Sequence, residues 1–138
     1  MSEPEMTLRV PGEKRYLLVI RTALGGVAII NDLDADTLDD LRMATDTMCD
    51  CLLHQGRKVK HLDVAVYDEE NHMKVELAAC YDGPEEKCPC QSEGETEVTR
   101  AVLQTLASEV HITRCKDVVQ KFTLLLHKAS APISASND

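Results

Sequence analysis

Residues 36–56 read DTLDDLRMATDTMCDCLLHQG, and the spacing inside this stretch decides the architecture. Leu38, Leu41, Ala44, Met48 and Leu52 recur at intervals of three and four, the repeat of a helix with one apolar face. A turn of about 100° per residue gathers Met43, Asp46, Asp50 and His54 on the opposite face. Five of the nine residues from Asp32 to Asp40 are Asp. Asp at a helix start accepts hydrogen bonds from unpaired N–H groups and complements the helix dipole. The pattern therefore predicts a helix that starts near Asp36 or Thr37, runs to about Gln55 and is stopped by Gly56.

On the upstream side, Met6 to Val10 alternates as a strand, and Pro11-Gly12 ends it. Leu17, Ile20, Leu24 and Val27 then recur at helical spacing, which predicts a first helix from about Glu13 to Ile30. On the downstream side, Leu62, Val64 and Val66 and then Met73, Val75, Leu77 and Ala79 alternate with polar or small residues across the turn Asp68-Glu69-Glu70-Asn71. That is a hairpin. Val98, Val102 and Leu106 suggest a third helix from about Thr96 to Ala107, followed by strands at Val110–Thr113 and Val118–Lys128. The order is β-α-α-β-β-α-β-β. It predicts a two-layer α/β sandwich: a mixed, mainly antiparallel sheet with three helices on one face. Residues 6–128 read as one domain, and Ala129 to Asp138 as a polar, disordered tail. The acidic stretch Asp82–Glu97 offers little to bury and is expected to be mobile.

The chain has 138 residues, enough to bury a core without staples. Aromatics are 3% of it, with no Trp and one Phe, Phe122, so the core must be aliphatic. Few aromatics and a net charge of −9 argue against nucleic-acid reading, which needs stacking platforms and a basic footprint. An acidic surface favours basic protein partners and solubility. The acidic start MSEPEM is followed by no apolar signal core, and no apolar run is long enough to cross a bilayer. Six Cys then fit free thiols in a reducing cytoplasm better than a disulfide framework. Neither Cys49-x-Cys51 nor Cys88-Pro-Cys90 has the C-x-x-C spacing of a zinc site. Cys51, Cys80 and Cys115 read as ordinary buried thiols.

This element order, with a polar-faced second helix, resembles the GHKL (Bergerat) ATPase fold, and within it the small bacterial anti-sigma factor serine kinases. That family's first motif is a Glu and an Asn four residues apart on the second helix. The Glu serves as base, and the Asn ligates the magnesium that bridges the phosphates. The matching positions here are Asp46 and Asp50, with His54 one turn later. The resemblance implies Asp46 as a weakened base and Asp50 as the magnesium ligand if ATP binds. The plain alternative is the solvated face of an amphipathic helix. The family's second motif, an adenine-reading Asp followed by glycine, survives only as Asp82-Gly83, a pair that any turn can also contain. Its third motif is a glycine-rich turn that cradles phosphates. Here the place reads Glu93-Gly94-Glu95-Thr96-Glu97, and carboxylates at a helix start expel anions.

The resemblance thus implies an anti-sigma-factor-like regulator that acts by protein–protein binding, with ATP binding and kinase activity weakened or lost. Its implied partners are a sigma factor and an antagonist regulatory domain, with homodimerisation common in such relatives. Two other readings stay open: an active ATP-dependent serine kinase, and an unrelated α/β interaction module.

Overall fold

The computed structural model describes residues 3–81, 93–115 and 118–129, with residues 93–95 described by their backbone alone. The elements run β1 (Met6–Pro11), a 3-10 turn (Lys14–Tyr16), α1 (Leu17–Ile30), α2 (Ala35–Leu53), β2 (Val59–Asp68), β3 (His72–Tyr81), α3 (Glu93–Gln104), β4 (Glu109–Cys115) and β5 (Val118–His127). The strands form a single sheet in the order β1-β2-β3-β5-β4. The two-layer α/β sandwich expected from the sequence is the fold found.

One feature of the sheet differs from expectation. All four ladders are antiparallel, whereas a mixed sheet was predicted. The crossover from β3 through α3 does return β4 parallel to β3. However, β5 pairs antiparallel with both and separates them, so no parallel ladder forms.

Alternation sorts the two faces. Leu62, Val64 and Val66 of β2, Met73, Val75, Leu77 and Ala79 of β3, and Phe122, Leu124 and Leu126 of β5 are buried. Their neighbours on the other face carry cross-strand ion pairs, Arg9 with Asp63 at 2.7 Å and Lys121 with Glu76 at 3.7 Å. The helices cover the apolar face in order: α1 touches β1, α2 lies over β3 and β5, and α3 lies against β4. Ile20, Leu24 and Ala28 of α1 and Leu41, Ala44, Met48 and Leu52 of α2 close the core. Burying each such Leu or Ile side chain is worth about 1.5–3 kcal/mol, the main force joining the layers.

Helix ends and faces needed the structure. The cap of α2 is Asp34, whose side chain accepts the Thr37 N–H at 2.8 Å, so the helix begins at Ala35, just before the expected start at Asp36 or Thr37. At the end of α1, Asp32 takes φ 61°, and the Leu33 N–H reaches back to the Ala28 carbonyl at 3.0 Å. This left-handed stop is usually glycine's. The apolar stripe expected on α3 is turned outward: Val98 is 65% exposed and Val102 40%, while Thr96 and Leu103 are buried. Leu103 and Thr96, not the valines, face the core because α3 packs on both α2 and β4.

Gly12 sits where β1 leaves the sheet and passes against Val59. A Cβ placed on it would stand 2.5 Å from Val59 Cγ1 and 2.7 Å from the Val59 carbonyl carbon. Backbone cannot yield as a side chain does. Gly12→Ala is therefore expected to cost about 1–3 kcal/mol, read as a lower urea midpoint with an unchanged m-value.

Candidate functional site

The outer face of α2 carries the residues singled out by the sequence. Asp46, Asp50 and His54 lie one turn apart and line one groove of about 500 Å³, together with Lys14, Leu17 and Arg21 from the α1 side. α2 can present this face because it lies between α1 and α3 and is buried on its other sides. Thus Thr45, Cys49 and Cys51 are buried in addition to the predicted apolar stripe.

The carboxylates are not idle. Arg21 Nη1 stands 3.6 Å from Asp46 Oδ1. His54 Nδ1 lies 2.8 Å from the Asp50 carbonyl oxygen and 3.1 Å from Asp50 Oδ1. When protonated, a histidine at a helix C-terminus also complements the dipole there. Both pairs are largely open to water, so each holds geometry more than it adds stability. As a metal site the trio does not fit. Each carboxylate faces a nitrogen group of its own, and among the described residues no three His, Cys, Asp or Glu side chains converge on a point.

Two protonation equilibria bear on this helix. Burial, with Asp46 nearby, pushes the Cys49 thiol up to about 12, so it stays protonated at neutral pH beside the groove. Since the folded value is raised, ionisation of the unfolded thiol lowers stability only above the ordinary thiol range. Hydrogen bonding from Thr37 holds the Asp34 carboxyl below its usual range. That cap strengthens α2 above the ordinary carboxylate pKa, and its contribution is lost as pH falls through the lowered value.

The C-terminal end of α2 is fixed by a residue the sequence did not single out. Gln55 is fully buried. Its Nε2 donates to the Val119 carbonyl at 2.8 Å and to the Tyr81 hydroxyl, and its Oε1 accepts the Val119 N–H at 2.8 Å. The Tyr81 hydroxyl lies 2.9 Å from the same Val119 carbonyl, and Arg57 covers the Tyr81 ring at 5.0 Å. Sequence periodicity cannot find such a glutamine, because its place just beyond the helix looks like any polar end. The same blindness hid Lys14 and Arg21, which belong to a different helix from the carboxylates they face.

Asp82 and Gly83 lie outside the described residues, as do Cys88, Cys90 and the tail from residue 130 onward. Most of the acidic stretch expected to be mobile also falls there, but from Glu93 onward the chain is already helical. Of the carboxylates at the start of α3, Glu97 is exposed and pairs with Arg100 at 3.3 Å. Arg114 donates to the Thr96 hydroxyl at 3.2 Å. Cys80 and Cys115 are exposed, not buried as expected. Cys80 falls on the outward parity of β3, and Cys115 ends the edge strand β4.

These features define an antiparallel two-layer α/β sandwich with an ion-paired groove of mixed charge along its central helix. No known family profile matches the chain. It is similar to the anti-sigma-F factor RsbW of Mycobacterium tuberculosis, strains CDC 1551 / Oshkosh and H37Rv, at 31% identity over 75 residues in each case. The match covers 54% of this chain and 45% of each relative, so it spans about half the length of the proteins it resembles. Among the described residues no helix is long and apolar enough to cross a membrane.

The Gln55 clamp makes a testable demand. Gln55→Leu leaves the buried Val119 N–H without its acceptor and weakens the tie to its carbonyl. The expected loss is about 2–4 kcal/mol in urea unfolding, well above what an exposed Gln would cost.

Proposed function

We propose that the chain is an anti-sigma-factor-like regulator that works by binding a sigma factor, with nucleotide binding and kinase activity weakened or lost. The observation that carries this reading is the similarity to the anti-sigma-F factors over 54% of the chain. Carboxylates at positions 46 and 50 support the second half of it, since the resemblance expects Glu and Asn there. Asp50 in place of Asn adds a negative charge near the phosphates. At an effective dielectric near 20 and about 6 Å, one such charge costs on the order of 3 kcal/mol before salt screening. Arg21 on Asp46 further occupies the group that would serve as base. An antagonist regulatory domain that competes with the sigma factor, and a cytoplasmic setting, complete the proposal.

Two measurements test it together. Purification of the tagged full chain from its native host is expected to retain a sigma factor, identified by mass spectrometry and then rebound in purified form without ATP. Failure of every purified sigma factor of that host to bind removes the anti-sigma reading. Calorimetric titration with magnesium-ATP is expected to give a Kd of about 1 mM or weaker, a free energy near −4 kcal/mol. A micromolar Kd abolished by Asp50→Ala would instead restore the active-kinase reading.

A further inference from the structure

Three of the five histidines stand beside a carboxylate: His54 is 3.1 Å from Asp50, His61 3.5 Å from Asp63 and His111 3.4 Å from Glu109. His72 and His127 are placed differently. Among the described residues neither ring has a hydrogen-bond partner or a carboxylate within ion-pair distance. Each faces the other instead, with ring centroids 4.5 Å apart and planes inclined by 36°. The sheet sets them there. His72 opens β3, His127 ends β5, and the two are direct partners in the antiparallel register. Their chain neighbours Met73 and Leu126 are buried, so both imidazoles project from the outer face of the sheet. The Lys128 N–H donates to the Asn71 carbonyl at 3.2 Å, which marks the pair beyond them as a hydrogen-bonded one. His72 and His127 thus form a non-hydrogen-bonded pair, the kind whose side chains come closest.

Each neutral imidazole keeps one nitrogen lone pair, and a stacked neighbour supplies no proton to it. A single electron-pair acceptor within reach of both rings satisfies both at once. A divalent metal ion is such an acceptor, and imidazole suits zinc and copper in particular. Two nitrogens each about 2.1 Å from a tetrahedral ion stand about 3.4 Å apart. Rings with centroids at 4.5 Å reach that separation by turning about their side-chain bonds. The surroundings favour a cation too. The turn that leads into His72 carries Asp68, Glu69 and Glu70. The neighbouring cations Lys128 and Lys74 are engaged with Asp68 and Glu69, which leaves the exposed Glu70 uncompensated. Among the described residues no third His, Cys, Asp or Glu joins the pair, so water completes the shell and the site is open and exchangeable.

We infer that His72 and His127 form a two-imidazole seat for a zinc or copper(II) ion, which ties the start of β3 to the end of β5. This seat lies on the far side of the sheet from the α2 groove and does not rest on the anti-sigma reading. Just beyond it the Lys128 and Ala129 N–H groups donate to the Asn71 and Asp32 carbonyls, so a bound ion also holds the end of β5 against fraying.

Zinc chloride titrated into the reduced full chain, with NMR of the imidazole rings as the readout, tests it. Two of the five ring systems are expected to shift together with one apparent affinity, and His72→Gln and His127→Gln identify them. Each variant is expected to weaken the response of the remaining ring at least tenfold, because a second ligand held in place binds as an intramolecular group. His111→Gln is expected to leave the response unchanged. Both rings lie outside the core, so the metal-free variants are expected to keep the parent's Tm. Zinc taken up by thiols while all five ring systems stay unmoved to about 1 mM free zinc overturns the inference. So does a His72→Gln chain in which His127 still titrates with the parent's affinity.

Discussion

Without Gln55 the buried Val119 N–H would lose its acceptor, and the Val119 carbonyl would keep only the Tyr81 hydroxyl. The β3–β5 ladder ends at the pair Ala78 and Lys121, although β3 continues to Tyr81 and β5 begins at Val118. The Val119 N–H and carbonyl thus lie beyond the last rung of that ladder. The Gln55 amide supplies both missing hydrogen bonds, as a strand would. An unmade hydrogen bond in a core costs far more than a made one contributes, so this is a demand on the fold and not a decoration. Because Gln55 lies just beyond His54, the residue that caps α2, meeting it sets where that helix ends above the sheet.

The position of α2 in turn determines the groove. With α1 on one flank, α3 on the other and β5 beneath, α2 has only its outer face left for polar residues. That face holds Asp46, Asp50 and His54, and the neighbouring α1 brings Lys14 and Arg21 to it. The electrostatic character of the groove is therefore a product of two helices. The acidic residues of α2 meet the basic residues at the start of α1, so opposite charges share one groove within a strongly acidic chain. The opposite face of the sheet shows the same economy, with Arg9 and Asp63 paired directly across neighbouring strands.

On the proposed reading, this groove stands where the resemblance expects a nucleotide site. A nucleotide site built on the second helix needs a base free to take a proton and a neutral ligand that tolerates phosphate charge. Here the first position is occupied by an ion-paired Asp and the second by another carboxylate.

The sequence by itself determined the element order, the sandwich class and which face of α2 is wet. These depend on local periodicity: strand alternation and helical spacing are properties of near neighbours. It also placed Asp46, Asp50 and His54 together, since residues four apart on a helix must share a face. Only the tertiary structure decided what those residues meet. Arg21 against Asp46, Gln55 against Val119, and Thr96 and Leu103 in place of Val98 and Val102 all depend on how helices are set against one another and the sheet. The antiparallel sheet is of the same kind, because the insertion of β5 between β3 and β4 is a pairing between distant segments. No window along the chain contains both partners of such a contact, and that is why it could not be read there.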